Sequence, residues 1–240
     1  MTRLSHENLT LTSDDHPRVI EGRRKPGRPK GGQSSHTREC ILDAAEQLFA
    51  DRGYDGASIR DVAAQAGLQI HSIGYHYGPK EQLFDAVVGR RAEIMTQLRR
   101  DALAAAQSLS GGKPVSVKDL VRAYVSPFIM SASHGDPGWR NYAALMGRLA
   151  NSPLGTEIIA KHYDATARDY IAALQQALPR AKAADVVEGF SAMVAAMLGI
   201  CAATGRPERL SGRASPRPPE DSLETLVRFH TAGFQALQDN

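Results

Sequence analysis

Ser58-Ile-Arg-Asp-Val-Ala-Ala-Gln-Ala-Gly-Leu-Gln-Ile-His-Ser-Ile-Gly-Tyr-His-Tyr77 joins two short helical patterns at Gly67. The first opens on Ser58, a residue suited to capping a helix, with Asp61 three positions on to favour the positive end of the helix dipole. Ile59, Val62, Ala63 and Ala66 then share one face at helical spacing. Gly67 can take the positive φ of a tight turn between helices, and Leu68 supplies an apolar plug. The segment that follows is too short to fold alone. Ile73 faces inward there, leaving Gln69, His71, Ser72 and Tyr75 outside. This is the plan of a helix-turn-helix, whose second helix enters the major groove of DNA.

Working outward, Thr37 to Gly53 carries Ile41, Leu42, Ala45, Leu48 and Phe49 as one stripe, and Gly53 is placed to end that helix. Five runs now stand in register: Ile41-Leu-Asp-Ala-Ala45, Leu48-Phe-Ala-Asp-Arg-Gly-Tyr54, Ala57-Ser-Ile-Arg-Asp-Val-Ala63, Ala66-Gly67 and Ile73-Gly-Tyr-His-Tyr-Gly-Pro-Lys-Glu81. Together they resemble the N-terminal domain of TetR-family transcriptional regulators. Three positions depart from the family's usual pattern. Gln69 stands where Ser or Thr commonly opens the recognition helix, Ile70 where Lys or Pro often follows, and Gly74 where Tyr, Asn or Phe is common. The resemblance implies a DNA-binding head over residues 37–82. Within it, Gln69, Ile70, His71 and Ser72 are expected to face base edges, while Tyr75, His76 and Lys80 hold phosphates.

Residues 1–36 lack apolar periodicity and are expected to be disordered without a partner. Between Arg18 and Arg38 seven basic residues face Glu21 alone, a local +6 in a chain of net +3, which leaves −3 for the remainder. A mildly acidic body with a basic arm points to a polyanionic partner. Gly22-Arg-Arg-Lys-Pro-Gly-Arg-Pro-Lys-Gly-Gly32 resembles an AT-hook. Arg28, between Gly27 and Pro29, suits a narrow A·T minor groove, and Arg23, Arg24, Lys25 and Lys30 suit the flanking phosphates. A solvated basic tail that only raises non-specific affinity is the plainer reading.

The rest, residues 83–240, reads as all helix, with no internal repeat and no strand pattern. Gly78 and Pro79 are expected as N-cap and first residue of a long helix running to about Leu109. Further helices are expected over Val117–Ser131 (kinked or split by Pro127), Trp139–Ala150, Pro153–Leu178, Lys182–Ala203 and Asp221–Gln238. Arg206–Pro219 reads as a Pro/Arg/Ser linker. Trp139-Arg-Asn-Tyr-Ala-Ala-Leu-Met-Gly-Arg148, Ala177-Leu-Pro179, Gly205-Arg-Pro-Glu-Arg-Leu-Ser-Gly212 and Leu223-Glu-Thr-Leu-Val-Arg-Phe-His-Thr-Ala-Gly233 look like the C-terminal domain of a TetR subgroup with regulators of fatty-acid metabolism among its members. That likeness implies a hydrophobic, acyl-type effector. Tyr124, Phe128, Trp139, Tyr142 and Met146 recur at helical spacing as candidate pocket lining, a pattern equally typical of core.

The last helix carries Leu226, Val227, Phe234 and Leu237 on one stripe, and the small-residue helix before it is apolar nearly all round. The family resemblance implies that these two helices meet their symmetry mates in a homodimer. The uncharged run from Gly189 to Gly205 is shorter than the ~20 apolar residues a membrane span needs, so it reads as a closely packed helix. Cys40 and Cys201 offer no disulfide framework, and the eight His show no metal-ligand spacing. No phosphate loop or nucleophile signature supports catalysis or a cofactor. The expectation is an all-α cytoplasmic, nucleoid-associated repressor that a hydrophobic small molecule releases from a duplex operator. The alternative is an effector-independent architectural DNA-binding protein, which a filled core around Tyr124, Trp139 and Tyr142 would favour.

Overall fold

The computed structural model describes residues 30–150, 152–202, 204–215 and 217–239, which hold ten α-helices, one 3-10 turn and no strand. The head comprises α1 (Lys30–Gly56), α2 (Ile59–Gln65) and α3 (Ile70–Tyr77). Helix α1 begins seven residues before Thr37, so residues 30–36, expected to be disordered, are helical. Extending a helix already anchored by Ile41 and Ala45 costs far less than nucleating one, which the lack of apolar periodicity had hidden. Gly53 leaves the helical conformation with φ 73° and ψ 176°. Tyr54 then packs edge-on against Phe84, ring centroids 4.9 Å apart.

Ile41, Ala45, Phe49, Val62 and Ile73 close the head's core, each at most 1% exposed. Ser58 and Asp61 form a reciprocal capping box: the Asp61 amide donates to Ser58 Oγ at 3.2 Å and the Ser58 amide to Asp61 Oδ2 at 3.0 Å. Gly67 makes the turn at φ 66°. Each of these features follows the spacing in the sequence.

The body starts with α4 (Lys80–Leu109), a 30-residue helix spanning about 45 Å. Its N-cap is Pro79, one step later than expected, because Gly78 at φ 72° is used to close α3 instead. Next come α5 (Val117–His134), α6 (Pro137–Leu149), α7 (Pro153–Ala177) and α8 (Ala183–Cys201). Pro127 neither splits nor ends α5, which continues to His134. The proline removes one backbone donor, and the neighbouring Tyr124 carbonyl takes a bond from Arg99 Nε at 3.1 Å.

The supposed linker contains a short helix, α9 (Arg206–Ser211), followed by a 3-10 turn at Pro219–Ser222 and α10 (Leu223–Ala236). Gly205 and Gly212, at φ 67° and 71°, bracket α9, and Pro207 presets its first turn. By length and composition α8 could cross a membrane. Here Val186, Phe190, Met193, Met197 and Leu198 are buried in the chain's own core.

The stripe on α10 calls for a correction. Leu226, Val227 and Phe234 are buried and Leu237 is half-buried, covered by α5 and α8 of the same chain. Gly189 permits this, since a Cβ there would lie 2.9 Å from Phe234 Cε1. The stripe does need a partner, and the fold supplies it internally.

Candidate functional site

The second helix of the turn motif is held by its inner face. Ile73 is fully buried, and the buried Tyr77 donates its hydroxyl to the Arg38 carbonyl at 3.1 Å. Gln69, Ile70, His71 and Tyr75 are exposed, with Ser72 and His76 half-buried beside them. The five α3 residues expected at the interface, with Gln69 at the N-cap, therefore lie off the buried face. Tyr75 is 84% exposed and Ile70 49%, an outlay of apolar surface that a partner would cover. Tyr75 and His76 stack edge to face at 5.1 Å. Lys80, at the start of α4, places Nζ 4.3 Å from the Tyr54 ring centroid. An apolar Ile suits a thymine methyl, while amide, imidazole and hydroxyl groups suit base edges and phosphates. Of the arm, Arg23, Arg24, Lys25 and Arg28 lie outside the described residues, and Lys30 opens the backbone of α1.

Head and body meet at a cluster of charges. Glu46 on α1 is 1% exposed and accepts from Arg90 Nη2 at 2.8 Å and Arg91 Nε at 2.6 Å. Arg91 continues to Asp136, with Nη2 and Nη1 donating at 2.9 and 3.2 Å. Asp136 also caps α6 by accepting from the Gly138 amide at 2.9 Å. A Cβ at Gly138 would fall 1.9 Å from Arg91 Nη2, so only glycine admits the guanidinium. The Arg91 hydrogen bonds hold the Asp136 carboxyl below its ordinary range. Sequence reasoning missed this cluster, although a signal was present. Arg91 and Arg99 sit among Val88, Ala92, Met95 and Leu103 on the apolar side of α4. Buried charges persist where something compensates them.

A half-open cavity of about 840 Å³ lies between α5, α6, α7 and α8. Tyr124, Tyr163, Ile171, Phe190, Val194 and Leu198 form its wall, and the Asp164–Arg168 pair, 3.0 Å apart, also borders it. Of the five expected lining residues only Tyr124 borders it. Phe128, Trp139, Tyr142 and Met146 are core: Tyr142 meets Tyr163 hydroxyl to hydroxyl at 2.5 Å, and Trp139 packs against Arg91, 4.9 Å from ring to guanidinium. Spacing placed all five on inward faces but could not say which bordered empty space.

A second apolar surface runs along α8 and α10. Val187, Ser191, Ala195 and Gly199 recur every fourth residue and are exposed. On α10, Phe229 (73% exposed), Ala232, Gly233 and Ala236 form the outer face. His230 is half-buried beside them, and desolvation lowers its pKa. Among the described residues no group of three or more His, Cys, Asp or Glu is placed to hold a metal ion.

Comparison with known proteins agrees with this layout. Residues 41–87 match the family model described as bacterial regulatory proteins, tetR family, and residues 122–233 match a tetracyclin repressor-like C-terminal domain. The HTH-type transcriptional repressor BepR of Brucella suis is 36% identical over 72 residues, 28% of this chain and 34% of BepR. The HTH-type transcriptional activator FasR of Mycolicibacterium smegmatis is 28% identical over 125 residues, 49% of this chain and 53% of FasR. The chain thus spans only about a third to a half of the length of these curated relatives. The fatty acid degradation regulator FadR of Bacillus halodurans shares the fold, with a TM-score of 0.56 at 15% identity over 82% of this chain and 95% of that one.

Proposed function

The chain belongs to the tetR family of bacterial regulatory proteins, and from that premise we propose that it is a dimeric repressor. In this reading it holds duplex operator DNA through α3, and a hydrophobic small molecule releases it. The observation that carries the reading is the two-faced α3. Ile73 and Tyr77 fix the helix to the head, while Gln69, Ile70, His71 and Tyr75 stand free for a groove. Gln69, Ile70, His71 and Ser72 are assigned to base edges, and Tyr75, His76 and Lys80 to phosphates.

The second copy is assigned to the outer face of α8 and α10 around Val187 and Phe229, in place of the Leu226 stripe. Two α3 helices would then reach successive major grooves, and an effector that favours another spacing would weaken both contacts together. The cavity beside Tyr124 supports effector control over a purely architectural role. An acyl-type effector draws support from the apolar wall and from the fold shared with a fatty acid degradation regulator. The basic arm is assigned to A·T-rich minor groove beside each half-site.

The test is selection of DNA fragments from random sequence by the purified protein, followed by footprinting. A two-fold symmetric site, with half-sites about one or more helical turns apart, is the expected result. Recovery of no sequence preference would return the architectural reading.

A further inference from the structure

Arg99 is 2% exposed, and no ion pair links it to any described carboxylate. Arg91, the other buried arginine among the described residues, shows the contrast, with Glu46 and Asp136 both against it. Arg99 instead has neutral company. Its Nε donates to the Tyr124 carbonyl at 3.1 Å, and Nη2 approaches Met197 Sδ at 3.7 Å. The guanidinium carbon lies 3.8 Å from the Tyr124 ring centroid, 5.7 Å from Tyr163 and 6.0 Å from Phe128.

The tyrosines and the thiol nearest it are no source of negative charge. Burial raises the pKa of Tyr124, Tyr163 and Tyr170, and lifts the Cys201 thiol to about 12. A guanidinium does not shed its proton to escape the cost. Cation–π contacts and a charge-assisted hydrogen bond to a carbonyl offset part of the cost of burying an ion, but neither supplies an opposite charge. Arg99's described partners are all neutral.

Tyr124 and Tyr163 border both this guanidinium and the cavity. We infer that the cavity binds a hydrophobic monocarboxylate, its carboxylate directed inward between Tyr124 and Tyr163 to pair with Arg99 and its hydrocarbon body along Ile171, Val194 and Leu198. This rests on the effector reading above and names the ligand class and its orientation. The one carboxylate on the wall, Asp164, is already held by Arg168. A cationic ligand would meet Arg99 unfavourably, and a neutral one would leave it as it is. A thioester-linked acyl group lacks the free carboxylate and would lose the inner contact.

The experiment titrates straight-chain acids, from hexanoate to tetradecanoate, and their primary amides into the full chain by calorimetry, without DNA. The best acid should bind about tenfold or more tighter than its amide. Arg99→Met should bring the acid to the level of the amide and leave the amide unchanged, while Arg99→Lys keeps part of the preference. Equal affinity of acid and amide for the unaltered protein overturns the inference, as does binding of neither. Retention of the preference in Arg99→Met overturns it too. Should Arg99→Met fail to fold by circular dichroism, the acid-to-amide ratio of the unaltered chain and of Arg99→Lys decides. Retention of the selected DNA is measured separately on ligand-free protein. A chain that holds DNA but ignores the carboxylate removes only the ligand assignment. One that prefers the acid but holds no DNA removes the regulator reading.

Discussion

Arg91 Nε donates to Glu46 Oε2 at 2.6 Å, joining the long helix of the body to the first helix of the head in a place almost closed to water. Glu46→Ala would strip two guanidinium groups of their shared carboxylate. The expected loss is about 3–5 kcal/mol of unfolding free energy, read by urea denaturation. A loss below about 1 kcal/mol would mean that the remaining carboxylates, Asp136 at Arg91 and Asp43 at Arg90, suffice without it.

The same junction should respond to acid. Asp136 ionises below its reference value of 3.8 because Arg91 binds the charged form. A carboxyl with a lowered folded-state pKa adds stability that is fully present above the unfolded value. That stability fades as pH falls below 3.8 through the folded pKa. In Asp136→Asn the stability-versus-pH curve should flatten in that acid window relative to the unaltered protein. Parallel curves would show that Arg91 does not favour the ionised form.

Two substitutions on α10 separate folding from association. Leu226→Asp places a charge in the chain's own core and should unfold the protein. Phe229→Asp alters a side chain 73% exposed, and should yield folded monomer by sedimentation with an unchanged circular dichroism spectrum. A Phe229→Asp dimer as tight as the original would move the interface elsewhere.

Lys80→Ala should weaken binding to every DNA sequence and lower the slope of log affinity against log salt by about one. An unchanged slope would assign Lys80 to the Tyr54 ring it overlies rather than to a phosphate.

Deleting residues 1–33 tests the arm on operators with A·T-rich and G·C-rich flanks at fixed salt. Groove insertion by Arg28 gives a larger loss on the A·T-rich flank. An equal loss on both would leave the segment a general electrostatic aid.

The head was legible because its signals are local. A cap at Ser58, a glycine turn at Gly67 and an inward Ile73 lie within a few residues of the contacts they make, and each occurs as spaced. The body was legible as helices but not as surfaces. The face of α10 bearing Leu226 is apolar whether its cover is α5 and α8 or another molecule, so the stripe, joined to the family resemblance, pointed to a second copy where the fold supplies α5 and α8. Likewise Trp139 and Tyr124 obey the same spacing, yet one packs on Arg91 and the other borders the cavity. Charges on an apolar stripe were the overlooked clue. Arg91 and Arg99, eight residues apart on α4, mark the junction and the buried layer behind Tyr124 and Tyr163 respectively.

Helix α8 serves two surfaces at once. Val187, Ser191, Ala195 and Gly199 border the cavity and also form the exposed face assigned to a second copy. A molecule laid along that face would lie across the cavity mouth. Ligand exchange would then keep time with the lifetime of the pair: an occupant captured before pairing departs only as fast as the partners separate, and departs more slowly as the protein accumulates. The chain's own abundance would set how long it retains an effector.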